Sequence, residues 1–262
     1  MQIAVSVAYK SLFPGKKSLL EKALAGTLYK VPPPPLPLFE SKVVTNIELV
    51  IPAQVTKEKL CNLQAFAQNY HLKILSAHQP ILKLTSMSEE EITDCLAAAQ
   101  KLKASLLVIH LSAIGRRIFN PQFRAWLLEE QEKYQVKVAL ENSTKNLFTR
   151  FSPFVCEADQ FGETVAKSGL KITMDITHMG YSGGNILEFY KKYHEHIVNI
   201  HCSDYGHGLR GMHLPLGKGR LSIKEFLSLL KKTRYSGQIT LEIPHPASEV
   251  IESFNLIKNS VF

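Results

Sequence analysis

Histidines and acids recur along this chain at the ends of short apolar runs. His78 closes LSAH, His110 closes LLVIH and Glu141 follows VAL. Asp175 follows KITM with His178 three residues on; His201 follows VNI with Asp204 three residues on; Glu242 follows ITL. Glu48 lies within NIELVIP and His213 within GMHLPLGKGRL. A lone histidine after such a run usually does no more than bond a carbonyl. Acids and imidazoles gathered in one mouth are another matter. Desolvated carboxylates repel one another and rise in pKa, a cost that a divalent cation removes. Imidazole with carboxylate suits Zn, Mn, Co or Fe better than Ca.

Whether these residues gather depends on the elements between them. Short runs rich in Val, Ile and Leu predict strands at Gln2–Val7, Asn46–Ile51, Lys73–Ala77, Ser105–His110, Val136–Leu140, Lys171–Asp175, Ile197–His201 and Gln238–Glu242. Longer periodic segments predict helices at Ser18–Thr27, Lys57–Tyr70, Ser88–Lys103, Gln122–Tyr134, Glu163–Lys167, Ile186–Tyr193, Ile223–Thr233 and Ser248–Lys258, with a capping box from Ser88 to Glu91. Strands and helices alternate throughout, and buried parallel strands read as continuous apolar runs. The expectation is a (β/α)8 barrel formed by residues 1–262 as one domain, with chemistry at the C-terminal ends of the strands. An open doubly wound sheet would show a Gly-rich turn after the first strand, and VSVAYKSLFPG has none.

Composition narrows the field. The chain has 262 residues, 45% of them hydrophobic, a formal charge of +8 and a pI of about 9.2. The basic balance suits an anionic substrate or nucleic acid, although lysines as scattered as these more often form only a solvated surface. Cys61, Cys95, Cys156 and Cys202 form no C-x-x-C pair and read as reduced thiols of a cytoplasmic protein. No apolar run approaches the roughly 20 residues of a membrane helix. KVPPPPLPLFE, residues 30–40, predicts an extended polyproline connector. GKG at 217–219 suggests a tight loop at the mouth in reach of a substrate phosphate, and Arg116, in GRR after the fourth strand, is a candidate anion contact.

The pieces HQP at 78, IHLS near 110, LEN at 140, MDITH at 174, IHCSD at 200, HLPLGKG at 213 and LEIP at 241 resemble the xylose isomerase-like TIM-barrel superfamily. That superfamily includes sugar and sugar phosphate isomerases and epimerases and the endonuclease IV family. The resemblance implies that Glu141, Asp175, His201 and Glu242 bind a shared divalent metal: Zn or Mn first, with Mg, Co or Fe as alternatives. It implies that Glu141 and Glu242 also move the proton through an enediolate. His78 and His110, with Glu141, match the extra metal site of the endonuclease branch. His178 and His213 fall on the substrate side or in that branch's third site. Asp204 is expected at the mouth, as a substrate contact or as a brace for His201 or its loop.

The departures matter as much. The endonuclease pattern has Asp-x-His where this chain has Gly211, Met212 and His213, so a third metal is expected to lack its carboxylate. The AHVS-type first strand and the DNA-reading loop are missing. Sugar epimerases often carry an Arg six residues after the seventh-strand histidine; here that position is His207, with Arg210 close by. The expected partner is a small carbohydrate, with nucleic acid only under the endonuclease alternative, no membrane, and a homo-oligomer compatible with the fold.

Overall fold

A computed structural model describes residues 1–13, 36–80, 86–145, 149–208 and 211–262. The helix expected at Ser18–Thr27 and the proline run at 32–35 lie outside the described residues.

Eight parallel strands close into a barrel in sequence order: β1 Gln2–Ala8, β2 Asn46–Val50, β3 Lys73–His78, β4 Leu106–His110, β5 Lys137–Glu141, β6 Lys171–Asp175, β7 Ile197–Cys202 and β8 Gln238–Leu241. Each expected strand is present, shifted by at most one residue at either end. The helices between them include Lys57–Asn69, Glu89–Lys101, Pro121–Tyr134, Ala158–Ser168, Ile186–Tyr193, Ile223–Lys232 and Ala247–Val261. Ser88 caps its helix as expected: its hydroxyl accepts from Glu91 N while the Glu91 carboxylate accepts from Ser88 N. The polyproline expectation ends early, because Leu36–Glu40 is helical. Pro37 sits in that helix's first turn, where no N–H is needed.

Alternation along each strand separates two environments. Leu107, Ile109, Val138, Leu140, Ile172, Met174, Ile239 and Leu241 join the apolar core shared with the helices. The intervening residues fill the bore. A lower layer holds Glu48, Ser76, Asn199, Thr240 and Gln238, joined by hydrogen bonds. Two positions further along their strands come His78, His201 and Glu242, with His110, Glu141 and Asp175 at the matching ends of β4, β5 and β6.

Two irregularities set this phase. Between β2 and β3 the register jumps at Leu75, so that Glu48 pairs with Ser76. Between β6 and β7 it jumps at Val198, so that Thr173 pairs with Asn199. A one-residue slip exchanges the two faces of a strand. Each bulge therefore falls immediately before a bore residue and three positions before a histidine of the mouth.

Candidate metal centre

Glu141 lies at the middle of the mouth and is wholly buried. Its Oε2 is 3.0 Å from His78 Nε2 and 3.5 Å from His110 Nε2. Its Oε1 is 3.3 Å from both His201 Nδ1 and His178 Nδ1. His201 Nδ1 also faces Glu242 Oε2 at 3.5 Å and Asp175 Oδ2 at 4.0 Å. Glu242 Oε2 is 3.8 Å from His213 Nδ1. Donor atoms of Glu141, Asp175, His201 and Glu242 all fall within 4.8 Å of one another, as do those of His78, His110 and Glu141.

The donor set fits a divalent cation. Glu141 Oε1, Asp175 Oδ2 and His201 Nδ1 are buried and have no hydrogen-bond partner among the described residues. Such orphaned polar atoms are costly unless something else satisfies them. Mixed imidazole and carboxylate donors of this kind suit Zn or a similar transition metal.

Without a cation the centre holds its charge unevenly. Burial pushes Glu141 up, but the imidazoles of His110 and His201 outweigh it and hold this carboxyl well below its usual range. Burial pushes Glu242 up, and the attraction of His201 does not offset it once Glu141 and Asp175 add their repulsion. Burial pulls His110 down to about 3. Burial also opposes charge on His178, yet Asp175 and Glu141 raise it to about 9.

A third group was not expected in this form. Donor atoms of Asp175, His178 and His213 also lie within 4.8 Å of one another. The carboxylate comes from β6 and not from position 211. Gly211 packs on the backbone of Gly206, and a Cβ there would meet that backbone at 3.1 Å. His213 reaches the mouth with φ of 55°, a conformation uncommon outside glycine and concentrated at functional sites.

Of the two roles expected for Asp204, the hydrogen bonds match the brace for its loop. Asp204 is buried, Oδ1 accepts from Tyr205 N at 2.8 Å and Leu221 N at 3.1 Å, and Oδ2 accepts from Gly217 N and Gly219 N at 2.9 Å each. Its backbone also pairs with Leu214. Asp204 thus braces the loop that carries His213. In the GKG loop expected near a phosphate, the Gly217 and Gly219 amides are spent on the same carboxylate and that of Lys218 donates to Pro215 O. Arg116 stands apart too. It lines a separate cavity of about 500 Å³ with Phe119, Arg124, Phe151 and Lys167, and no residue of the mouth takes part.

A family model described as a xylose isomerase-like TIM barrel matches residues 39–260. The chain belongs to that family. MJ1614, an uncharacterized protein of Methanocaldococcus jannaschii, is 30% identical over 196 residues, covering 67% of this chain and 73% of that protein. A D-tagatose 3-epimerase-like protein shares the fold with a TM-score of 0.68 at 21% identity, over 99% of this chain and 97% of the other. The TTHB071 protein of Thermus thermophilus, in a structure from crystals soaked with ZnCl2, superposes with a TM-score of 0.67 at 15% identity, over 99% and 98%. Among the described residues no helix is long and apolar enough to cross a membrane.

In the sequence Glu48 is no more than an acid within an apolar strand. The structure places it directly beneath His201, with Oε1 3.0 Å from Nε2. The signal was there in an acid flanked by apolar residues, but its target lies on a strand far along the chain.

Proposed function

We propose that the protein is a divalent-metal-dependent isomerase or epimerase of a ketose sugar or sugar phosphate. The observation that supports it best is the pair Glu141 and Glu242, which approach His201 Nδ1 at 3.3 and 3.5 Å beside Asp175. Two carboxylates on the same imidazole can serve as a pair of proton carriers: one takes the proton from the carbon beside the carbonyl and the other returns one. Asp175 and His201 complete the ligand set with these two. Together these four residues would hold a divalent cation, which would supply Lewis-acid polarisation of the substrate carbonyl. The sugar-epimerase likeness of a structural neighbour supports the same substrate class.

A second reading, an endonuclease IV-like phosphodiesterase acting at abasic DNA, has one observation in its favour. The Asp175, His178 and His213 group supplies the carboxylate that the glycine at 211 withholds. Three metals per chain would suit phosphodiester hydrolysis.

The test is reconstitution. Chelator-stripped protein should be inert towards a panel of ketoses and ketose phosphates, and should regain epimerisation when Zn or Mn is returned. Epimerisation that persists in metal-free protein would sink the proposal.

A further inference from the structure

The imidazoles of the mouth are held from behind, and not all in the same way. His78 Nδ1 donates to Gln79 O at 2.7 Å and His178 Nδ1 to Asn142 O at 2.9 Å. His110 Nδ1 is 3.4 Å from Ser143 Oγ, and His213 Nδ1 is 3.1 Å from Ser203 Oγ. These backing partners are neutral; the carboxylates that His178 Nδ1 and His213 Nδ1 also face, Glu141, Asp175 and Glu242, belong to the donor groups of the mouth itself. His201 is backed instead by the carboxylate of Glu48, 3.0 Å from Nε2. Both residues are fully buried. The contact falls short of hydrogen-bond geometry, yet neither Glu48 Oε1 nor His201 Nε2 has another hydrogen-bond partner among the described residues.

The layer beneath is polarised towards Glu48. Gln238 Nε2 donates to Ser76 Oγ at 2.7 Å, and Ser76 Oγ donates to Glu48 Oε2 at 2.7 Å. Gln238 Nε2 also donates to Thr240 Oγ1 at 2.7 Å. Thr240 passes its proton to Asn199 Oδ1 at 3.0 Å, and Asn199 Nδ2 donates to Glu48 Oε2 at 3.2 Å. Two donors thus converge on Oε2 and leave Oε1 for His201. Ser76 and Asn199 are the residues that directly follow the two bulges.

We propose that Glu48 is the positioning residue of the centre. It keeps a proton on His201 Nε2 and so aims the Nδ1 lone pair at Glu141, Asp175 and Glu242, where the metal of the proposed function would be held. The inference rests on that reading of the mouth. Outer partners of this kind fix the tautomer and orientation of a ligating histidine. Only a carboxylate accepts from both sides here. A glutamine must either turn its NH2 towards His201, which forces the proton onto Nδ1, or turn it against the Asn199 NH2.

Glu48→Gln, assayed by chelator competition for Zn on the full chain, should raise the Zn dissociation constant by about 10- to 100-fold. Ser76→Ala, which removes one donor to Glu48 and no ligand, should raise it by about 3-fold and covers the case in which Glu48→Gln does not fold. In ¹H–¹⁵N spectra the Zn-loaded wild type should show a slowly exchanging, downfield His201 Nε2 proton that Glu48→Gln loses. Unchanged Zn affinity in Glu48→Gln, even with a lowered melting temperature, would reduce Glu48 to a structural acid and overturn the proposal. So would metal bound through Nε2 in the wild type. Wild-type protein that binds no metal would remove the functional reading instead. The Nε2 proton of the metal-free protein, present in the wild type and lost in Glu48→Gln, still decides the role of Glu48.

Discussion

Glu141 meets His78 through Oε2, at 3.0 Å from Nε2, and turns its other oxygen to the opposite side of the mouth. One carboxylate therefore belongs to two donor groups, that of His78 and His110 and that of Asp175, His201 and Glu242.

Glu141→Gln is expected to empty both groups together. Metal content measured after desalting should fall by more than one equivalent, and turnover should drop by about 10²–10⁴-fold. Loss of a single equivalent would separate the two groups.

His213→Ala acts on the third group alone. It should leave epimerisation within about a few-fold of wild type, since the shared ligands stay in place, and lower Zn content by no more than one equivalent. If His213→Ala abolishes epimerisation, that side chain belongs to the reacting centre.

Asp204→Asn keeps the shape of the side chain but cannot accept from four backbone N–H groups. Hydrogen bonds to a charged acceptor are the stronger kind, so a cost of about 2–3 kcal/mol is expected. For a chain of this size that lowers the melting temperature by roughly 5–10 °C. Calorimetry that finds no change would show that the loop is held by other contacts.

How much of this was legible in the sequence follows from what each residue depends on. The strands are readable because bore and core faces are both buried, so each run is mostly apolar, interrupted only by single bore residues such as Glu48, Ser76 and Asn199 before the His or acid that ends it. Glu141, Asp175, His201 and Glu242 were findable for that reason. For Asp204 the sequence leaves two roles open, because the partners that make it a loop brace are backbone amides, which carry no residue-type signal. The third group is hard to see in the sequence because its carboxylate does not stand beside His213 in the chain: Asp175 comes from β6, the strand paired with β7. The role of Glu48 depends on two bulges, and no residue type in KILSAH or IVNIHC announces an extra residue.

The pH response of the metal-free protein follows from two histidines. His178 is raised from 6.5 to about 9. Its contribution to stability is complete below pH 6.5 and is lost as pH rises through about 9. His110 is lowered from 6.5 to about 3. The unfolded chain then binds a proton that the folded one refuses, and stability falls as pH drops from 6.5 towards 3. Scanning calorimetry of chelator-treated protein should give a melting temperature that peaks near neutrality and declines on both sides. A value that climbs steadily from pH 6 to 9 would contradict the assignment for His178.

Proton transfer beside a ketose carbonyl can be watched directly. Zn- or Mn-loaded protein in D2O, incubated with a panel of ketoses and ketose phosphates, should place deuterium on the carbon next to the carbonyl of at least one of them. The label should be absent with Glu141→Gln and with chelator-stripped protein. No exchange into any ketose, together with metal-dependent incision of abasic-site duplex DNA and three bound metals per chain, would contradict the isomerase account and establish the nuclease.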